Sequence, residues 1–164
     1  MSTRLGSYLY TFGIISDTHI NEEENRSASP YLCNALANPR ARYAVAVLNR
    51  AHPAFVIHLG DIVNPVPHLD SYRRAVENFN TIFSSLPCPL YLIPGNHDVG
   101  DKALEWMPAG SVSEDFIRQF EREIGNHFYS FDTKGVHYVL LNAQLFNTEF
   151  ESSSSQKTWL ENDL

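Results

Sequence analysis

A chain of 164 residues with 43% hydrophobic content is long enough for one soluble domain with its own core, and a single domain over 1–164 is expected. Twelve basic against nineteen acidic residues leave a formal charge of −7, which works against long-range attraction to nucleic acid or to an anionic membrane surface. No apolar stretch approaches the ~20 residues of a spanning helix, and residues 1 to 6 lack the apolar centre of a signal peptide, so the cytoplasm is the expected location.

In chain order, Phe12 to Ser16 is a short apolar run that reads as a first strand. The polar, proline-containing stretch Asn21 to Arg40 reads as a long loop, of a length usually functional or mobile. Arg40 to Ala51 places Tyr43, Ala44, Val47, Leu48 and Ala51 as a helix would. Ala54 to Leu59 gives a second strand. Leu69, Tyr72, Val76, Phe79 and Phe83 recur at intervals of three and four on a second helix, and both helices would cover the sheet. Pro89 to Ile93 gives a third strand. Ser111 and Glu114 have capping-box spacing, Phe116, Ile117, Phe120 and Ile124 supply one helical face, and Gly125 is placed to close that helix. His127 to Phe131 and Val136 to Leu141, joined across Asp132 to Gly135, form a β-hairpin. The serine run 152 to 155 reads as a loop and helix N-cap. Cys33 and Cys88 lack Cys-x-x-Cys spacing and read as two reduced thiols. No internal repeat is present.

The chemistry concentrates where the three strands end. Asp17-Thr18-His19 follows the first, Gly60-Asp61 the second and Gly95-Asn96-His97-Asp98 the third. Three strands aligned in parallel would deliver these residues to one crevice beyond their carboxyl ends. Carboxylate and amide oxygens with imidazole nitrogens, and no thiolate, suit hard or borderline divalent metals. Singly, each residue has a structural explanation in a turn or a helix cap; together they read as a metal site. His58, inside the second strand, and His137, in the hairpin, read instead as buried, hydrogen-bonded core histidines.

The order Asp-x-His, Gly-Asp, Gly-Asn-His-Asp resembles the first three motifs of the calcineurin-like metallophosphoesterase superfamily, over roughly residues 12 to 164. That resemblance implies an α/β fold, an α/β/β/α sandwich whose second sheet begins with the hairpin and which breaks off soon after. It also implies two divalent ions, Mn, Fe or Zn, with Asp17 and His19 on the first, Asp61 between both and Asn96 on the second. A hydroxide held between the ions would attack a small phosphate ester, His97 would serve the leaving group or a phosphoryl oxygen, and Asp98 and Asn64 would support from behind. The phosphodiesterase-like branch fits better than the protein phosphatases, which carry Asp-Arg-Gly where this chain has Ile62-Val63-Asn64. The purple-acid-phosphatase branch is disfavoured because its chromophoric tyrosine has no counterpart there.

The family's later ligands, a further His and a Gly-His-x-His turn, have no counterpart here, and residues 156 to 164 resemble the helix preceding them. The first ion would then have three protein ligands and the second two, a weak second site unless an oligomer or a completing C-terminal segment supplies more. An exposed apolar edge is expected at the hairpin. The pocket walls are expected from Asn21 to Arg40 and Val99 to Gly110. A second reading from another class follows: a catalytically incomplete or non-enzymatic member serving as a binding or assembly surface.

Overall fold

The computed structural model describes residues 6–27, 29–100 and 110–164. Three short strands, β1 (Gly13–Ile15), β2 (Val56–His58) and β3 (Leu90–Leu92), form a parallel sheet in the order β1-β2-β3, with Ile14 opposite Ile57 and Ile57 opposite Tyr91. β4 (Tyr129–Thr133) and β5 (Val136–Leu140) form an antiparallel pair. Helices α1 (Ala37–Ala51), α2 (Tyr72–Phe83), α3 (Asn96–Val99), α4 (Glu114–Glu123) and α5 (Glu151–Asp163) complete the element list, with a 3₁₀ turn at Leu32–Leu36.

Alternation along β2 builds the layers. Successive side chains on a strand point to opposite faces. His58 therefore packs on the helical side, its ring 5.7 Å from that of Phe79 on α2. Phe55 and Ile57 turn the other way, into a second apolar cluster with Leu140, Tyr91, Phe131 and Tyr138. The hairpin lies on that side, with Phe131 stacked on Tyr91 at 3.7 Å between centroids. The Tyr129 hydroxyl accepts from the Leu92 N–H and donates to its carbonyl, satisfying backbone groups of β3 that have no strand partner. The hairpin's opposite face carries Ser130 and His137, and both bond Asp163 of α5. The layers are thus helices, parallel sheet, hairpin and helix, an α/β/β/α order. The main core, with Val45, Ile62, Val76, Phe79 and Phe120 all buried, lies under α1, α2 and α4. Among the described residues no helix is long and apolar enough to cross a membrane.

Several expectations need correction. The Asn21 to Arg40 loop is shorter than its composition suggested, because α1 begins at Ala37; Pro39 falls in the first turn, where no backbone N–H bond is required. The cap of α4 is Ser113, whose Oγ accepts the Phe116 N–H at 3.2 Å, and not Ser111. Glu114 is occupied elsewhere, accepting the Ser152 hydroxyl at 2.6 Å and its N–H at 3.0 Å. The serine run accordingly lies inside α5, where Glu114 and the Leu145 carbonyl take the hydroxyls of Ser152 and Ser153. The hairpin turn narrows to Lys134 and Gly135, both at positive φ (52° and 77°), the two-residue turn whose twist matches the strands. Cys33 and Cys88 are unpaired. Exposed apolar residues include Val136 on the hairpin, 37% exposed, and Ile14 on β1 at 58%.

His137 is the clearest departure. It is exposed rather than buried, and its ring bridges two carboxylates, Nδ1 at 2.9 Å from Asp132 and Nε2 at 2.9 Å from Asp163. Hydrogen bonds to Asp163 and then Asp132 raise its pKa above 6.5. Asp163 is held below 3.8 by its bonds to Ser130 and then His137. The raised histidine stabilises the fold below its unfolded value and loses that contribution as pH climbs through the folded one. The lowered carboxyl contributes above its unfolded value and loses that as pH falls. The melting-temperature gap between the wild type and His137→Gln should therefore be widest between about pH 4 and pH 6.5 and narrow by about pH 9. Circular-dichroism melts at low salt measure it, and a pH-independent gap would contradict the clasp.

Candidate metal centre

The loops after β1 and β2 continue the sheet's pairing instead of diverging. The Asp17 N–H donates to the Gly60 carbonyl, His19 to Asp61 and Ile20 to Ile62, each at 3.0 Å. To stay paired while presenting side chains to one crevice, the backbone turns left-handed at Asp17 (φ 54°), His19 (φ 42°) and Asp61 (φ 53°). Non-glycine residues there cost on the order of 1–3 kcal/mol each and cluster at functional sites. His58 steadies this arrangement from beneath. Its Nδ1 accepts the Gly60 N–H at 3.2 Å, and its Nε2 donates to the Thr18 hydroxyl at 2.9 Å, which in turn donates to the Ile62 carbonyl. Burial pushes its pKa down to about 4, so the ring is neutral and serves as a brace.

The second and third loops are interlocked. The buried Asp98 carboxylate accepts N–H bonds from Gly95 and Asp61 at 2.8 Å each and from Ile62 at 3.1 Å. Burial pushes its pKa up to about 7 against the pull of those bonds. In return the His97 N–H donates to Asp61 Oδ1 at 2.9 Å. The loops approach so closely that a side chain at Gly60 would collide with the Gly95 backbone, and one at Gly95 would lie 2.6 Å from the Asp61 nitrogen. Gly60 also sits at φ 100°. Both motif glycines are thus required by approach.

His19, Asp61 and His97 bring one donor atom each within 4.8 Å of one another, a spacing that suits a shared ion with ~2.0–2.2 Å ligand bonds. His19 Nε2 is 3.6 Å from Asp61 Oδ2 and 4.0 Å from Asp17 Oδ1, and the His19 and His97 rings meet edge to face at 4.7 Å. Burial lowers the His19 pKa, with Asp61 opposing it and His97 reinforcing it, which favours the neutral imidazole that a metal needs. Asp17 stands at the rim, its side chain 67% exposed. Asn96 opens α3 directly beside His97, half-buried. Asn64 takes part through its backbone, its carbonyl accepting from His97 Nδ1 at 3.3 Å, while its side-chain oxygen accepts from Asn34. That leaves Nε2 as the open nitrogen of His97.

The rim loop carries a group of residues that its polar composition concealed. Asn21 and Asn38 are fully buried; Asn38 Oδ1 accepts the Asn21 N–H at 2.8 Å, and Asn34 Nδ2 reaches Asn64 at 2.8 Å. Asn78 on α2 donates to the Asn21 and Glu22 carbonyls. This network orders the wall of a cleft of about 270 Å³ that opens onto His19 and His97. The buried asparagines were legible only as polar loop residues, since nothing in the pattern marks which of them face inward. Of the other expected wall, residues 101–109 lie outside those described.

Residues 10–163 match the model of the family described as calcineurin-like phosphoesterase. The chain is 28% identical over 133 residues to a serine/threonine-protein phosphatase CPPED1 of Danio rerio, covering 75% of this chain and 39% of that protein. It is also 28% identical over 118 residues to a manganese-dependent ADP-ribose/CDP-alcohol diphosphatase of Xenopus tropicalis, covering 68% of this chain and 34% of that protein. A crystal structure of a dimetal phosphatase from Danio rerio superposes with a TM-score of 0.55 at 21% identity, over 93% of this chain and 52% of that one. The matched segment thus spans well under half of these curated relatives.

Replacing Asp98 by Asn keeps its shape but leaves one good acceptor oxygen for three N–H groups. The expected loss is about 1–3 kcal/mol, the cost of buried donors left unpaired. Urea unfolding measures it, and a wild-type midpoint in Asp98→Asn would show that the interlock does not hold the loops.

Proposed function

The chain belongs to the calcineurin-like phosphoesterase family, and from that premise we propose that it hydrolyses phosphate esters with divalent metal ions, as a phosphodiesterase on a small or nucleotide-like substrate. The observation that carries this reading is the convergence of His19, Asp61 and His97, with Asp17 at the rim, at the carboxyl ends of parallel strands. Relatives named for protein and for small-molecule substrates match at the same 28% identity, so their names do not choose between the two. The cleft of about 270 Å³ beside the histidines supports the small substrate.

The residues would divide the work as follows. Asp17, His19 and Asp61 would hold one ion and Asp61 with Asn96 a second, manganese being one candidate because a relative is named for it. Bound divalent ions supply charge for the phosphoryl oxygens and lower the pKa of water to roughly 7. Asp61 Oδ1 already accepts the His97 N–H, so Oδ2, which faces His19, is the oxygen left to bind metal. His97 has Nδ1 fixed on the Asn64 carbonyl, and its open Nε2 would hold the proton delivered to the leaving oxygen. Its inclusion in the three-donor cluster offers a second role, as a ligand in its own right, which the same variant tests.

Hydrolysis of bis-p-nitrophenyl phosphate in Mn²⁺, with bound metal measured in parallel, separates these roles. Asp61→Ala should lose both metal and turnover. His97→Gln should keep its metal and lose about 10²–10⁴-fold in turnover; loss of metal there would make His97 a ligand instead. Full activity in Asp61→Ala would overturn the proposal.

A further inference from the structure

We infer that the cleft beside His19 and His97 selects phosphate esters whose organic half carries a cationic amine, with Glu22 as the counter-charge and Tyr31 as the aromatic face. The inference rests on the hydrolytic reading above and narrows its substrate class.

The walls of the cleft argue by their chemistry. Pro30, Tyr31, Pro65, Val66 and Leu69 give it apolar sides, and Glu22 is the carboxylate among its lining residues. Among the described residues no Lys or Arg lines it. A second phosphate, as in a nucleotide anhydride, would therefore meet an acidic and apolar wall without a cation to receive it.

Glu22 differs from its neighbours in sequence. Glu23 pairs with Arg26 at 3.2 Å, and Glu24 is gripped by both terminal nitrogens of Arg42 at 2.6 and 2.8 Å. Glu22, the one of the three that lines the cleft, has a buried Oε2 with no hydrogen-bond partner among the described residues. An unpartnered buried carboxylate oxygen is costly, and a cation lodged beside the carboxylate offsets that cost through its charge, with no need to donate a hydrogen bond. The residue is held in place, since its carbonyl accepts from Asn78 at 3.1 Å.

Tyr31 supplies the second recognition element. Its side chain is 72% exposed at the mouth of the cleft, while its backbone is fixed at both ends: the N–H donates to Ser29 Oγ at 3.2 Å and the carbonyl accepts from Asn34 at 2.9 Å. An exposed aromatic ring on a fixed backbone, in the same cleft as a carboxylate, is the pairing by which proteins recognise ammonium groups. Apolar walls suit the alkyl substituents of such a group.

Two esters that differ in one atom test this. p-Nitrophenyl phosphorylcholine and p-nitrophenyl 3,3-dimethylbutyl phosphate release the same p-nitrophenolate, and differ in a quaternary nitrogen against a quaternary carbon. With the Mn²⁺-loaded chain, KM for the cationic ester should be lower by about tenfold, the scale of a cation–π contact joined to an ion pair. Glu22→Gln, nearly isosteric, should bring that ratio close to one, and the surface change Tyr31→Ala should reduce it several-fold. Equal KM values in the wild type would overturn the inference. A calorimetric titration of the metal-free chain with phosphocholine and with 3,3-dimethylbutyl phosphate reads the same preference without turnover. Tighter phosphocholine binding that Glu22→Gln abolishes, in a chain that hydrolyses neither ester, would support the cation site and remove the hydrolytic reading; equal heats, or none, from both ligands would overturn the cation site itself.

Discussion

The reciprocal pair of bonds between the Asp61 loop and the His97-Asp98 turn sets the position of everything else at the site. Asp98 holds the Asp61 backbone through its carboxylate, and Asp61 holds the His97 backbone through its own. Two acidic side chains thus fix each other's loops without touching, because backbone N–H groups stand between them. A carboxylate with several N–H donors is a strong acceptor, and burial makes losing those donors more costly. Asp61 keeps one oxygen committed to the protein and one facing His19, a preorganised half-ligand that needs no rearrangement to accept a cation.

That interlock works because the sheet has already brought the loops within reach. β1 and β2 keep pairing past their last regular residues, through to the isolated bridge between Ile20 and Val63. The left-handed turns at Asp17, His19 and Asp61 let the strands stay joined while their side chains swing into the crevice. The buried relay from Gly60 through His58 and Thr18 to Ile62 then secures the turn from the core side. Strain at these three residues is offset by hydrogen bonds one layer beneath them.

The sequence carried the strand ends and the motif residues because both rest on strong local signals: apolar runs that stop, and polar residue types that rarely follow them in that order. It carried His58 as a buried histidine for the same reason, its neighbours all being apolar. His137 failed under the same logic. On a two-stranded hairpin one face is covered by the parallel sheet and the other by α5, so alternation alone could not reveal the carboxylate at Asp163, 26 positions away, that holds its ring near the surface. The serine run misled because serine favours caps, and the tertiary partner that draws Ser152 into the first turn of α5 lies on α4. The asparagine network was illegible because its bonds join residues 13 to 57 positions apart.

Charge would make such a site depend on its ions. The chain carries a formal charge of −7, and its cleft is lined by a carboxylate and by two imidazoles, of which His19 is pushed toward its neutral form by burial. A phosphate ester approaching this surface meets a repulsive field and, among the described residues, no guanidinium or ammonium lining the cleft. The attraction has to come from the cations that Asp17, His19, Asp61 and Asn96 would gather, since bound divalent ions are the largest local charges in a site and invert its sign. Phosphate recognition and catalysis would then share one source, and the neighbouring wall is left to recognise the organic half of the ester by chemistry of the opposite sign.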